Sequence, residues 1–512
     1  VQLPEHVRVA VVGAGFAGIG AAVVLTRAGH RDLLVLERAT AIGGTWRDNT
    51  YPGCACDVPS HLYSFSFAPN PRWTRAFSPQ EEIRRYLEDV CDRFGVRDRV
   101  RCGVEVTGAA WASDRWRLTT TAGELTADVL VAATGPLSQP SVPDLPGLAG
   151  FRGRVFHSAR WDPAADLDGA RVAVVGTGAS GVQIVPEIAP SAERVTVFQR
   201  TPPWVLPRGD HPIPPGRRAL FARRPAAQLA ARAAIWATRE AGVAGFVAAP
   251  TLMRGVERLA RAHLERQVAD PALRQALTPA YRAGCKRLLL SDDWYPTLQR
   301  SDVELVPAAV RKLTADAVVA ADGTVHPSDV VILATGFEAT DVPLAHVLRG
   351  RDGRLLAEVW AAGGMRALRG TTVAGFPNFF VLVGPNTGLG HSSMILMIEA
   401  QLRYLADAMR VLDTHGLATL EPTPAAQDRW NADLQRRMGR TVWATGGCSS
   451  WYQDDRGRIP TLWPGSTVRF RRATRALDPT EYAAAPGRAA VSGRRGEQAA
   501  LETPRRRPLR GR

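Results

Sequence analysis

Two glycine clusters, Gly13-x-Gly15-x-x-Gly18 and Gly176-x-Gly178-x-x-Gly181, have the spacing of a backbone that cradles a dinucleotide. In such a cluster the first glycine permits a tight turn out of a strand. The second lets the backbone approach a pyrophosphate, and the third lets the next helix pack closely with its N-terminus facing the anion. One cluster alone is weak evidence, but each is followed after twenty-four residues by a charged side chain, and the two charges are opposite. Glu37 can accept hydrogen bonds from a ribose diol and would repel a 2′-phosphate, so the first cradle is expected to hold FAD or NAD and not NADP. Arg200 reverses that charge and Thr201 adds a hydroxyl, so the second is expected to hold NADPH. Thr177, Gly178, Ser180, Gly181 and Gln183, in and just after the second cluster, are assigned to the same site.

These residues need strands and helices to position them. Val7 to Val12 reads as a buried parallel strand, a helix from Phe16 to about Ala28 follows, and Leu33 to Leu36 is the next strand, ending at Glu37. The arrangement repeats with a strand at Arg171 to Val175, a helix starting over Val182 to Ile188 with Pro186 in its early turns, and a strand at Val195 to Phe198. Apolar runs from Asp128 to Ala132 and from Asp329 to Ala334 close in Gly135 and Gly336, where the chain is expected to cross between domains. Residues 136 to 150, with four prolines, fit a crossover loop. Helices are expected from Pro79 to Phe94, within an excursion over about 60 to 127, and from about Ile395 to Leu412. Residues 207 to 280, rich in Ala and Arg with proline breaks, read as a helical insertion. The expected fold class is therefore α/β, with two Rossmann-like dinucleotide-binding domains and that insertion in the second. The boundaries fall at 1–140 and 336–480 for the first domain, 141–335 for the second, and 481–512 for a basic, disordered tail.

Between the clusters runs Phe151-x-Gly153-x-x-x-His157-x-x-x-Trp161-Asp162. It resembles the fingerprint of the type I Baeyer-Villiger monooxygenases, class B flavoproteins that insert one oxygen atom of O2 beside a ketone carbonyl. Gly43-Gly44-Thr45-Trp46, followed by Tyr51-Pro52-Gly53 and Asp57, is similar to a second signature of the same family. Trp46 stands where the flavin disulfide reductases place a first redox cysteine, so Cys54 and Cys56 are expected as small packing residues. The resemblance spans roughly residues 7 to 475 and implies FAD in the first cradle and NADPH in the second. The flavin set it implies is Gly13, Gly15, Gly18, Glu37, Gly44, Thr45, Trp46, Asp57, Tyr63, Val106 and Met394. It further implies that Lys286 assists the NADP phosphate, that Arg287 faces the flavin as the catalytic cation, and that Asp57 holds Arg287 by a charge-assisted hydrogen bond. Gly384 to Met394 looks like the family's C-terminal segment, with His391 expected as a structural hydrogen-bonding histidine. Trp443, Trp451 and Trp463 are expected in the core or the pocket wall. Comparable insertions cover the active site in the family, so residues 207 to 280 are expected to share in ketone specificity.

The implied reaction converts a small-molecule ketone and O2 to an ester or lactone through an oxygen adduct at flavin C4a, with Arg287 stabilising negative charge as it develops. Oxidation of sulfur or nitrogen in small molecules is the alternative; it needs a protonated, electrophilic oxygen, and the Trp161-Asp162 ending favours the ketone. A non-catalytic FAD- and NADP-binding sensor and an electron-transfer reductase are the remaining readings.

Composition narrows the setting. An apolar fraction of 45% is that of a globular protein, and the net charge of +15 is partly local, since eight Arg and two Glu lie from Pro486 onward. A solvated tail is favoured there over a nucleic-acid arm. Six cysteines without a visible pairing framework point to a reducing compartment. The chain opens on a strand and not on a leader, and the uncharged run from Ala241 to Met253 is too short to span a bilayer. A cytoplasmic enzyme with no nucleic acid, membrane or obligate protein partner is expected.

Overall fold

The structure, a computed structural model, describes residues 2–486. Two parallel sheet cores organise it. In the first, His6–Val12 is almost wholly buried, and its apolar residues run continuously because both faces of a parallel sheet are covered. It pairs in parallel with Leu33–Glu37 on one side and Gly123–Ala132 on the other. Val100–Cys102 extends one edge, while Arg115–Thr120 and Val106–Ala112 extend the other as antiparallel strands. Late in the chain, Leu348–Arg349 joins that outer edge and Phe379–Val381 pairs with the end of Gly123–Ala132.

The second core is a five-stranded sheet in the spatial order Val303–Val306, Arg194–Phe198, Arg171–Val175, Val330–Leu333, Arg154–His157. Every adjacent pair is parallel. The fingerprint stretch thus supplies an edge strand, with Trp161 packed against Phe156 at 5.0 Å between ring centroids and Arg154 paired with Asp162. His157, at the end of that strand, sets its ring against Phe337, just past the crossover at Gly336.

Helix Phe16–Arg27 is buried on nearly every side because it lies between the first sheet and helix Met394–Thr414. The latter begins where the Ser393 hydroxyl accepts the Ile395 N–H, a side-chain cap. Helix Gln80–Arg93 buries Ile83, Tyr86, Leu87, Val90 and Cys91, the stripe that helical spacing dictates. The helix after the second cluster spans Ala179–Ile188, starting earlier than expected, since Gly178 in extended conformation ends the turn.

Residues 207–280 form helices Pro215–Arg223, Pro225–Ala241, Val243–Val247, Met253–Gln267 and Pro271–Ala276, flanked by the strand pair Val205–Leu206 and Leu289–Leu290. Proline opens three of them, where a missing N–H costs nothing. Helix Pro225–Ala241 docks through polar residues. Arg232 donates to the carbonyls of His61, Leu62 and Ser64 at 3.0, 3.3 and 2.8 Å, and Gln228 to that of Asn70 at 2.6 Å.

Two expectations need correction. Tyr482–Pro486 is not disordered tail but a strand antiparallel to Leu417–Pro422. Its anchor is Tyr482, buried with its hydroxyl 2.7 Å from that of Tyr404, while its alanines contribute backbone only and leave no apolar pattern to read. The remainder of the arginine-rich segment lies outside the described residues. The cysteines are not all unpaired either, for Cys285 and Cys448 form a disulfide across a separation of 163 residues. Cys54, Cys56, Cys91 and Cys102 are free. Among the described residues no helix is long and apolar enough to cross a membrane.

Candidate active site

Both cradles open onto one cavity of about 1280 Å³. Gly13 lies at φ +104°, and a Cβ there would stand 2.7 Å from the Ala133 carbonyl oxygen. Gly176 repeats this at φ +110° and 2.6 Å from that of Ala334. The strand ends at 133 and 334 therefore press on the two turns in the same way. Gly15 and Gly44 face each other, a Cβ on Gly44 meeting the Gly15 Cα at 3.1 Å, so the slot between them stays free of side chains. Glu37 is buried; it accepts the Ala14 N–H at 2.8 Å and the Ala39 N–H at 2.9 Å, and pairs with Arg47 at 2.9 Å.

Arg287 lies where the two halves meet. Its Nε and Nη2 donate to the two oxygens of Asp57 at 2.6 and 2.7 Å, a bidentate pair. About a third of the Arg287 side chain and a quarter of Asp57 remain open, and both line the cavity. The Asp57 carboxylate holds the guanidinium well above its ordinary pKa, against the effect of burial. Burial works to raise Asp57, but the charge and hydrogen bonds of Arg287, with Arg239 further off, keep it below the usual carboxylate range. Tyr452 is fully buried beside this pair; burial pushes its hydroxyl up to about 12, the Arg287 charge acting in the opposite sense. Across the cavity, Trp46 donates through Nε1 to the Tyr63 hydroxyl at 3.0 Å, the two rings meeting edge to face. Val106 and Met394 also line the wall.

At the second cradle, Arg200 is exposed and Lys286 half-buried, with its ammonium 5.2 Å from the centre of the Tyr281 ring. Burial lowers the Lys286 pKa, and the neighbouring charge of Arg200 lowers it further, so two cations share this cradle. The Thr177 hydroxyl donates to the Thr201 carbonyl at 3.4 Å. Gln183 reaches across the halves, donating to the Ala55 carbonyl at 3.1 Å and accepting from the Tyr51 hydroxyl at 3.1 Å.

Every residue expected at the site lines this cavity except Gly18 and Gly181. Those two sit behind their turns, where any Cβ would collide with the carbonyls of Gly13 and Gly176. Their role is close packing of helix on turn, so both Gly18 and Gly181 are corrected from cofactor contacts to supports. No residue of 207–280 is among those lining the cavity, but Arg239 of helix Pro225–Ala241 lies near enough for its charge to act on Asp57 and Arg287. The insertion's apolar side chains turn inward, Phe246 and Met253 packing with Cys285, Trp443 and Tyr452 in one cluster behind the Arg287 loop. Trp443 and Trp463 are core, whereas Trp451 is 46% exposed and lies on the wall beside Tyr452. His391 is buried, with Nε2 3.4 Å from Glu240. Tyr51, part of the second signature but given no role from sequence, and Tyr452, which the sequence did not single out, stand in the wall; only its aromatic type and its place next to Trp451 could have flagged Tyr452. Cys54 and Cys56 are buried packing residues, burial pushing the Cys54 thiol up to about 12 and Cys56 higher still.

The donor set fits two dinucleotides. The facing Gly15 and Gly44 at the first turn and the open space before Gly178 at the second leave room for a pyrophosphate at each, the acid at 37 suits a free ribose, and the cations at 200 and 286 suit a phosphorylated one. A family model for pyridine nucleotide-disulphide oxidoreductases matches residues 10–212. The chain is 56% identical to a Baeyer-Villiger monooxygenase of Streptomyces coelicolor, over 94% of this chain and 93% of that protein. Its fold matches the crystal structure of cyclohexanone monooxygenase from Rhodococcus sp. Phi1 bound to NADP+, with TM-score 0.84, 28% identity, and 95% and 100% of the two chains covered. It also matches the crystal structure of OTEMO in complex with FAD and NADP, with TM-score 0.85, 28% identity, and 94% and 100% covered.

Proposed function

The chain belongs to the Baeyer-Villiger monooxygenases, and from that membership we propose how its own residues divide the work. It is an FAD-containing, NADPH- and O2-dependent monooxygenase that converts ketones to esters or lactones. FAD in the first cradle supplies the redox chemistry, accepting hydride from NADPH and activating O2 for insertion beside a carbonyl. Arg287 stabilises negative charge on the reacting oxygen and on the ketone oxygen as its carbon becomes tetrahedral. A guanidinium keeps its proton at every working pH, and Asp57 binds that proton count more firmly, so the cation stabilises the attacking oxygen without neutralising it. Oxidation of sulfur or nitrogen needs the opposite, a proton donated to that oxygen.

Asp57 also fixes the planar guanidinium in one orientation and limits the cost of enclosing its charge. Arg200, Thr201 and Lys286 hold the 2′-phosphate, while Gly13, Gly15, Glu37, Gly44, Thr45, Trp46, Tyr63, Val106 and Met394 hold the flavin. Residues 1–140 and 336–480 are read as the flavin unit and 141–335 as the NADP unit. The small-molecule ketone reaches the cavity without a protein, membrane or nucleic-acid partner, and the setting is the cytoplasm, where NADPH is regenerated.

The observation that carries this reading is the bidentate Asp57–Arg287 pair on a cavity that both cradles share. Its test is incubation of the purified yellow protein with NADPH, O2 and a panel of ketones, with products weighed by mass spectrometry. Esters are expected from the native protein, and Arg287→Ala should retain FAD while losing about 10²- to 10³-fold in ester formation. Ester yield unchanged in that variant would remove Arg287 from the reaction. Oxidised sulfides without esters would favour the heteroatom reading, and dye reduction without oxygenated product a reductase.

A further inference from the structure

We propose that the Cys285–Cys448 disulfide is a positioning element for the reaction, fixing the Arg287 loop against the Trp451–Tyr452 segment of the cavity wall. The inference rests on the monooxygenase reading above. Cys285 is fully buried two residues before Arg287, and Cys448 lies three before Trp451 and four before Tyr452. The two loops meet closely: the Arg282 N–H donates to the Gly446 carbonyl at 2.9 Å, and a Cβ on Gly446 would stand 2.7 Å from that of Cys285.

Each loop is unequally held. The approach to Cys285 is secured from behind, where Glu257 accepts two hydrogen bonds from Arg282 and Ala283 at 3.0 and 3.1 Å, and where Trp204 donates to the Tyr281 carbonyl at 2.8 Å. The Cys448 side is held more lightly: the Gly446 carbonyl accepts from Arg282, the Thr461 hydroxyl donates to the Tyr452 carbonyl at 3.0 Å, and the remaining hydrogen bonds are local, Gln453 to Ser450 at 3.0 Å and Arg458 to Asp454 at 2.8 Å, until Asn386 holds the carbonyls of Ile459 and Leu462 at 2.9 Å. Trp451, in the middle, is nearly half exposed. The crosslink is therefore the covalent tie that adds to these contacts in fixing Trp451 and Tyr452 relative to Arg287. The buried cluster of Trp204, Phe246, Met438 and Trp443 around it closes the core independently, so opening the bond loosens the reacting edge and not the fold.

Opening needs a dithiol reductant. Its two S–H bonds break as its sulfurs join, the protein S–S bond breaks, and two protons and two electrons pass to leave Cys285 and Cys448 as thiols. In a reducing compartment the coupling of NADPH use to ester formation would then follow the local thiol–disulfide balance.

The test uses the FAD-loaded enzyme, air-oxidised or treated with dithiothreitol. Peptide mapping after alkylation is expected to show 285 and 448 joined before reduction and both alkylated after it. Hydrogen exchange should quicken on reduction in residues 283–290 and 446–453, with FAD content unchanged. In turnover, reduction should raise KM for the ketone three- to tenfold and at least double the share of NADPH electrons emerging as H2O2. KM for NADPH should stay constant. Cys448→Ser should match the reduced enzyme and no longer respond to dithiothreitol. Free thiols at both positions in the oxidised protein, or exchange, KM and H2O2 share unchanged by reduction, would overturn the proposal. If no ketone supports turnover, the monooxygenase reading fails, while mapping and exchange still decide whether the crosslink positions the two loops.

Discussion

Lys286 shows how much function one side chain can hold and how its environment sets the condition. Half-buried and next to Arg200, it has a pKa below the ordinary lysine value. It is charged below that lowered pKa and neutral above it, so its contribution to phosphate binding is present at lower pH and lost as pH rises through it. KM for NADPH is expected to climb on the alkaline side in the native enzyme. Lys286→Met should start from a raised KM and lose that rise, which steady-state kinetics across pH would check. Arg200 is exposed, and exposed charges are screened, so Arg200→Gln should weaken NADPH roughly tenfold and leave NADH nearly unaffected. At this scale the site was largely legible, because charge and spacing within a few dozen residues suffice to tell a phosphorylated ribose from a free one. Tyr452 was not, since no motif contains it and its neighbour Trp451 was expected only in the core or the pocket wall.

The two strand–turn–helix units carry the next level. In Gly13→Ala the added methyl would meet the Ala133 carbonyl at 2.7 Å with φ at +104°, a conformation that costs a residue with a side chain about 1–3 kcal/mol. The variant should lose FAD on dialysis, read as the ratio of flavin to protein absorbance. Gly176→Ala should keep its flavin and lose affinity for NADP+, by titration. These elements were readable because a parallel strand buried on both faces must be apolar throughout, as Arg171–Val175 and Val330–Leu333 are. The insertion was readable as helices but not in how it docks. Its helix Pro225–Ala241 buries Gln228 and Arg232, a polar stripe that amphipathic patterning does not count as a docking face.

For the whole molecule, the consequence is that two sheets from interleaved stretches of chain share one cavity, with a separate cradle for each cofactor. A ligand present at a hundred times its Kd adds about 2.7 kcal/mol to the state that binds it. Thermal unfolding of the FAD-loaded enzyme should therefore shift upward with NADP+, and Arg200→Gln should shrink that shift without changing the FAD contribution. By itself the amino-acid order determined the two cradles and their opposite ribose preferences, since these depend on turn chemistry and charge at short range, while the Lys286–Arg287 step was carried by the family resemblance. Tertiary structure alone decided that helix Pro225–Ala241 docks through Gln228 and Arg232 and that Cys285 finds Cys448, and it formed the Asp57–Arg287 pair that only the family resemblance had implied. Those contacts join residues far apart in the chain, and which of many possible partners they find depends on how the two sheets and the insertion pack.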